Sequence, residues 1–302
     1  TMTSTNTSDF DPAVRNAAWW SGDSRMAVNG KAAQAILIKQ GRMEPPDLSD
    51  IEEVQMGKVM EPTIARLFQD KHRIELKDLD WIGQHSKETW LKAHGDYISA
   101  DGKTLVECKN YNAASLKNFD EDGNVIPPAD FVQLLHEAAC FNVDNIYLAV
   151  LFGGQKFRTY HFTIAPEQKD ELVQTMAKYW GMVQSGVAPE PDSIEAAKIV
   201  YPVADIDAVV ATQAAEKAVA VLKEYKARIK HLETEAEKVE LELRKYMGTA
   251  PALLTVDGHT LISWKNDKPG SKFDAKLFQK AMPDVYQKFV VETTGVRRFL
   301  LK

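Results

Sequence analysis

The chain has 302 residues, 44% of them hydrophobic and 26% charged, and its 43 acidic and 37 basic side chains leave a formal net charge of −6. That balance permits a substantial core and argues against a surface built throughout for phosphate contacts, although a local basic groove can coexist with an acidic exterior. No run of about 18 apolar residues exists to span a membrane. The two cysteines suggest no disulfide framework, and the Ser/Thr-rich start lacks a signal peptide's basic and apolar regions, so a reducing cytoplasm is expected.

Residues 1–12 are expected to be disordered. A helix should open at Ser24 as N-cap and run to about Lys39, with Gly41 ending it. The next should run from Ile51 to about Phe68, with a kink or restart at Pro62. Ile74 to Gln84 reads as strand. The stretch His94 to Asn110 reads as two strands joined at Asp101-Gly102, a type I′ hairpin signal. Leu116 to Pro128 is a turn-rich loop. A helix follows over Ala129–Phe141, then strands over Asn145–Phe152 and Lys156–Ile164, then an amphipathic helix over Pro166–Gln184.

Gly186 to Ser193, with Pro189 and Pro191, reads as a domain boundary. Beyond it Leu222, Tyr225, Ile229, Leu232, Ala236, Val239, Leu243 and Tyr246 recur in alternating steps of three and four, a coiled-coil seam on a helix over about 208–247. Its heptads imply pairing within the chain or between subunits. A hairpin around Asp257-Gly258, a helix from Ser271 or Asp274, and a terminal strand ending the chain should complete residues 191–302.

The chemistry concentrates in the first hairpin. Strand alternation puts Glu107 and Lys109 on one sheet face with Leu105, while Val106 and Cys108 face the other way. A buried strand carrying Glu and Lys needs a reason, and Asp96 adds a second carboxylate from the partner arm. Two carboxylates at a sheet edge suit Mg²⁺, a hard cation that takes oxygen ligands at about 2.0–2.1 Å. The Cys108 backbone carbonyl could be a further ligand, and Glu61, one helix upstream, could help hold a second ion. Lys109 can polarise water and offset phosphate charge. Taken one at a time, Glu61, Gln133 and Arg25 read as ordinary surface residues. Trp19-Trp20 reads as core, and His136 and Glu137 as core or surface side chains rather than a metal cluster.

Taken together, these residues resemble the lambda-exonuclease and YqaJ viral recombinase branch of the PD-(D/E)XK nuclease superfamily. Gly57-Lys58-Val59-Met60-Glu61 looks like its Gly-x-x-x-Glu helix. His94-Gly95-Asp96 stands where the branch has a small residue, Pro and Asp, with Gly95 in place of the Pro. Leu105 to Lys109 matches its Glu-x-Lys strand, and Gln133 its Gln motif. Trp20 and Arg25 resemble its N-terminal Trp…Arg segment, in which the Arg helps hold a DNA 5′-phosphate.

The resemblance implies an α/β, restriction-endonuclease-like core with a central mixed sheet flanked by helices over residues 13–190. Residues 191–302 would be an accessory module. It also implies a phage or prophage exonuclease in the bacterial host cytoplasm, cutting double-stranded DNA ends 5′ to 3′ with two Mg²⁺ ions, Mn²⁺ substituting. Asp96, Glu107, Glu61 and the Cys108 carbonyl would bind metal. Lys109 would activate water and Gln133 orient it. Arg25 would take the 5′-phosphate, and Lys31, Lys58, Arg297 and Arg298 would contact DNA. Partners would be a single-strand annealing protein and further copies of the chain, with a ring-type trimer as one form. The alternatives are a structure-specific or nicking endonuclease on the same core, or a non-enzymatic DNA-binding or assembly protein.

Overall fold

The computed structural model describes residues 12–120, 125–268, 270–291 and 295–302. The start expected to be disordered (1–11) and the tip of the turn-rich loop (121–124) lie outside the described residues. The chain forms two compact units, one ending at Pro202 and one running from Val203 to Lys302.

The first unit begins with α1 (Pro12–Asn16), β1 (Trp19–Trp20) and α2 (Ser21–Met26); a π-helical turn then leads into α3 (Ala32–Lys39). After α4 (Glu52–His72) come β2 (Leu76–Asp78), β3 (Gly83–Gln84), β4 (Leu91–Ala93), β5 (Tyr97–Ser99) and β6 (Thr104–Tyr111). A 3₁₀ turn leads to α5 (Pro128–Phe141), β7 (Asn145–Phe152), β8 (Lys156–Thr163), α6 (Pro166–Ser185) and α7 (Ile194–Val200). The central sheet has the order β2-β5-β6-β7-β8. Its β6–β7 pair is parallel and the other pairs are antiparallel. A smaller sheet, β1-β4-β3, stands beside it. A mixed sheet flanked by helices is the fold class expected from the sequence.

Strand alternation sorts the core into two layers. Ile146, Leu148, Val150 and Phe152 of β7 pack with Leu105 of β6 against α5 and α6. Ala149 and Leu151 pack with Val106 and Cys108 against Ile64, Ala65 and Phe68 of α4. The strand β6 is therefore covered on both faces, so any charge it carries must find partners inside the protein.

Several local expectations are corrected. The helix expected from Ser24 to Lys39 starts at Ser21 and is broken where Gly30 takes φ +73°, a conformation open to glycine without steric cost. Helix α4 passes through Pro62 and runs on to His72. The expected strand over Ile74–Gln84 is two short strands that join different sheets. The Asp101-Gly102 connection is no two-residue type I′ turn: only Gly102 has positive φ, and its N–H closes on the Ser99 carbonyl at 2.8 Å. The Asp101 carboxylate instead accepts bonds from the Ser99 hydroxyl and the Lys103 N–H, which stabilises a wider loop.

The first unit also extends past the Pro189–Pro191 break. Asp192 accepts the Ala33 N–H at 2.7 Å, satisfying an open donor of the first turn of α3. Ser193 caps α7, whose Ala196 is buried against Ala33 and Leu37.

The second unit comprises α8 (Gln213–Met247), β9 (Ala252–Leu254), β10 (Thr260–Ser263), α9 (Ala275–Ala281) and α10 (Pro283–Gln287). Helix α8 starts at Gln213 because Thr212 caps it, accepting the Ala215 N–H. Among the described residues no terminal strand forms: 295–302 carry no regular element. Among the described residues, no helix is long and apolar enough to cross a membrane.

Tight packing between β3 and α5 gives a direct test. A Cβ on Gly83 would lie 2.6 Å from Cε2 of Phe141. Gly83→Ala should cost about 1–3 kcal/mol, read as a lower urea midpoint at unchanged m-value.

Candidate active site

Glu107 lies in the middle of β6, only 5% exposed. Its Oε1 accepts two hydrogen bonds at 2.7 Å, one from Lys109 Nζ and one from Gln133 Nε2. Lys109 shares the sheet face of Glu107, as period-two alternation requires. Asp96 precedes β5, and its Oδ2 accepts the Cys108 N–H at 2.8 Å. This bond clamps the first arm of the hairpin to the second beside Glu107.

Helix α5 supplies the opposite wall through Asp130, Gln133 and Glu137, spaced to share one helical face. Gln133 Nε2 also donates to Glu137 Oε1 at 2.9 Å, while Gln133 Oε1 accepts from Arg25 at 3.0 Å. The amide thus has a defined polarity, with its donors toward the carboxylates and its acceptor toward the guanidinium. Arg25 pairs with the buried Asp130 at 2.6 Å. It also donates to the Tyr111 hydroxyl at 3.0 Å, and Tyr111 donates to Asp130 at 2.8 Å. Beneath this, the buried Lys39 ammonium lies 2.8 Å from Asp23 and donates to the Arg15 carbonyl. Asp23 also accepts the Trp20 N–H, so this ion pair holds the start of α2, the helix that carries Arg25.

Negative charge exceeds positive charge in this buried group. Burial, then the charges of Glu107 and Glu61, push the Asp96 carboxyl well above its ordinary range. Burial and Glu107 do the same to Glu137, and burial and Glu107 raise Glu61, which is half-buried on α4. Burial opposes charge on Lys109, but Glu107 and Asp96 outweigh it and hold the amine protonated. Desolvation likewise opposes charge on Arg25 and is outweighed by Tyr111, Asp130 and Glu107.

Hard oxygen donors with uncompensated buried charge fit a hard divalent cation. Asp96 and Glu107 would hold it, and Glu61 borders the same charge group. The carboxylates do not form a ready-made cage. Among the described residues, no three His, Cys, Asp or Glu side chains are grouped to enclose a metal. Lys109 and Gln133 bond Glu107 Oε1, and the Cys108 N–H bonds Asp96 Oδ2.

Hydrogen bonds thus bring Glu107, Lys109, Gln133 and Arg25 into one network, with Asp96 and Glu61 coupled to it by charge. Arg25 is turned onto Asp130 and Gln133. Lys58 is exposed on α4, one turn from Glu61, and Lys31 is exposed at the end of the π turn. Arg297 and Arg298 are exposed in the second unit, where Arg297 donates to the Val203 carbonyl.

Asp130 and Tyr111 are not among the residues the sequence points to, and Glu137, read as a core or surface side chain, joins the network through Gln133. Tyr111 continues the Glu107–Lys109 alternation, and Asp130 and Glu137 share the helical face of Gln133, so both periodicities carried the signal. His136 is a core residue, as read. Its Nε2 donates to the Lys92 carbonyl at 2.9 Å, its Nδ1 lies 2.8 Å from Ser24 Oγ, and burial pushes the imidazole down to about 4. Trp19 is buried, but Trp20 stacks on His94 at 4.8 Å between ring centroids. Both rings line a cavity of about 200 Å³ with Val14, Arg15 and Asp23.

Residues 22–144 match the family model of the YqaJ-like viral recombinase domain. This stretch contains Arg25, Glu61, Asp96, Glu107, Lys109, Gln133 and Glu137, and the resemblance read from the motifs is borne out. The chain is 25% identical over 304 aligned positions to the uncharacterised protein YqaJ of Bacillus subtilis (strain 168), covering 94% of this chain and 93% of that protein. It is also similar to the alkaline exonuclease LHK-Exo from Laribacter hongkongensis, at 13% identity over 58% of this chain and 91% of that one, with a TM-score of 0.48. A phage-related exonuclease from Haemophilus somnus 129PT aligns at 13% identity over 54% of this chain and 82% of its own, with a TM-score of 0.41.

A pH experiment reads the charge excess. A carboxyl whose pKa is higher in the folded state contributes stability below its unfolded pKa, and that stability is lost as pH rises through the folded value. Asp96→Asn removes this loss. In chelator, its melting temperature should gain on the parent's as pH rises from about 5 to about 8. Mg²⁺ should raise the parent's melting temperature more than the variant's. A pH-independent difference would show that Asp96 does not carry the excess.

Proposed function

We propose that this chain, which carries a YqaJ-like viral recombinase domain over residues 22–144, is a divalent-metal-dependent deoxyribonuclease. It would resect duplex DNA ends 5′ to 3′ for recombination by single-strand annealing. The observation that carries the reading is the buried Glu107 carboxylate bound by Lys109 and Gln133, with Asp96 fastened beside it. Such a group is costly to bury for packing alone, and its parts are those that phosphodiester hydrolysis needs. The match to the YqaJ-like domain supports a phage-type exonuclease as the coarser reading.

Bound Mg²⁺, held by Asp96 and Glu107 with Glu61 and the Cys108 carbonyl as further donors, would supply an acidified water and neutralise phosphoryl charge. The chain's own contribution is positional. Lys109 keeps its proton because Glu107 and Asp96 face it. As an ammonium it is placed to donate to water or to a phosphoryl oxygen. Gln133 fixes the Glu107 carboxylate from the helix side and ties it to Glu137. The Arg25 guanidinium fixes the polarity of that amide, and its side chain is 32% exposed, so one edge stays open to a phosphate. An annealing protein as partner and a homo-oligomer, with a ring trimer as one form, belong to the same proposal.

End-labelled linear duplex bearing a 5′-phosphate or 5′-hydroxyl, compared with closed circular duplex in Mg²⁺, tests the assignment. Linear DNA should be shortened from its 5′ ends and circles left intact; cutting of closed circles would instead mark an endonuclease. Glu107→Ala and Lys109→Ala should each lower the rate by about 10²–10⁴-fold with the fold retained. Full activity in either variant overturns the proposal.

A further inference from the structure

Helix α8 is 35 residues long, about 50 Å at 1.5 Å per residue. Its seam extends the heptads to Ala215, Ala218, Leu222, Tyr225, Ile229, Leu232, Ala236, Val239, Leu243 and Tyr246. All are exposed except Leu222, which is half-exposed. Tyr225 is 57% exposed, Leu232 58% and Val239 62%. The β9–β10 hairpin does not cover this seam. The Arg244 guanidinium lies over the Trp264 ring at 4.7 Å, and Met247 is buried, so the hairpin's contact falls to one side of it.

Two independent patterns select the partner. The first is charge. The residues flanking the seam are basic in the first half of the helix, at Lys226 and Arg228. They are acidic in the second half, at Glu233, Glu235, Glu240 and Glu242. A parallel copy would set Arg228 against Glu233 of its partner but Glu235 against Glu240, so an attraction and a repulsion offset each other. An antiparallel copy lays the basic half over the acidic half. The second pattern is size. When Ile229 faces Leu232 of an antiparallel copy, Leu222 faces Val239, Tyr225 faces Ala236, Ala218 faces Leu243 and Ala215 faces Tyr246. Each of the three seam alanines then meets a large residue, and both tyrosines face an alanine, as interdigitated packing prefers. In this same register Lys226 faces Glu233 and Arg228 faces Glu235. Charge and size thus agree on one register.

We infer that α8 pairs with α8 of a second copy of this chain as an antiparallel, two-fold symmetric coiled coil centred between Ile229 and Leu232. The contact is self-complementary, as a closed two-fold interface must be. Glu235 already touches Lys238 on its own helix at 2.7 Å, but both side chains are exposed. Such a surface pair is weak enough to share its carboxylate with Arg228 of the partner.

Sedimentation of the full-length chain at micromolar concentration tests this, with circular dichroism confirming that helicity is kept. K226E/R228E and E235K should each weaken self-association by about tenfold or more. The combined variant K226E/R228E/E233K/E235K restores opposite charges and should return to within about threefold of the parent. Under mild oxidation, an equimolar mixture of Y225C and A236C chains should cross-link into a dimer, while neither does so alone. The native Cys108 and Cys140 are buried and stay out of the reaction. Stronger association in E235K, or cross-linking of Y225C by itself, would mean a parallel pair and overturns the inference. So does an association that none of these substitutions changes.

Discussion

The burial of Glu107 sets the terms for much of the first unit. A carboxylate inside a covered strand must be met by donors, since a bare buried charge costs several kcal/mol or more. One donor comes from the same strand face, Lys109. The other must come from across the layer, which commits α5 to presenting Gln133 there. An amide that gives both hydrogens to carboxylates leaves its oxygen in need of a donor, and Arg25 fills that need. Arg25 in turn requires a counter-charge, which explains a buried Asp130 on the same helical face. From one carboxylate, the positions of α5 and α2 relative to β6 follow.

The elements that repeat with a clear period were legible in the sequence. Strands β7 and β8, helices α5 and α6, and the arms of the β5–β6 hairpin fall close to where alternation or helical spacing places them. The misreadings have local physical causes. Gly30 accepts positive φ and breaks a pattern whose apolar spacing looks continuous. Pro62 is carried inside α4 by the surrounding helix, which packs Ile64, Ala65 and Phe68 against the sheet. At Asp101 a side-chain bond to Ser99 competes with the tight turn that Asp-Gly suggests. None of these outcomes is set by local propensity alone.

The site was legible in part for a related reason. Glu107 and Lys109 stand out because charge on an apolar strand is visible at a spacing of two. Asp130 and Glu137 do not, because on a helix a charged residue usually faces solvent, and only the packing of α5 against β6 shows that these two do not. The His136–Glu137 pair separates in the same way. Adjacent positions point in different directions on a helix, so His136 enters the core between Ser24 and Lys92 while Glu137 turns to the carboxylates. Reading the Gln133 face at steps of three and four would have recovered both acids.

The imbalance of charge around Glu107 and the exposed seam of α8 are the same kind of observation at different scales. Each is a local arrangement that its own unit does not satisfy. For the carboxylates, one lysine against several acids leaves a deficit that a cation would fill, and the oxygen donors narrow which cation. For α8, apolar side chains left in water leave a deficit that a helix would fill, and the flanking charges narrow which helix. The two sit in different units of the chain, the carboxylates before Pro202 and the seam after Val203. Substitutions along α8 and substitutions in the Glu107 network therefore fall in separate stretches of sequence. The proposed chemistry and the proposed self-association are thus each carried by a different stretch of the chain and can be probed one at a time.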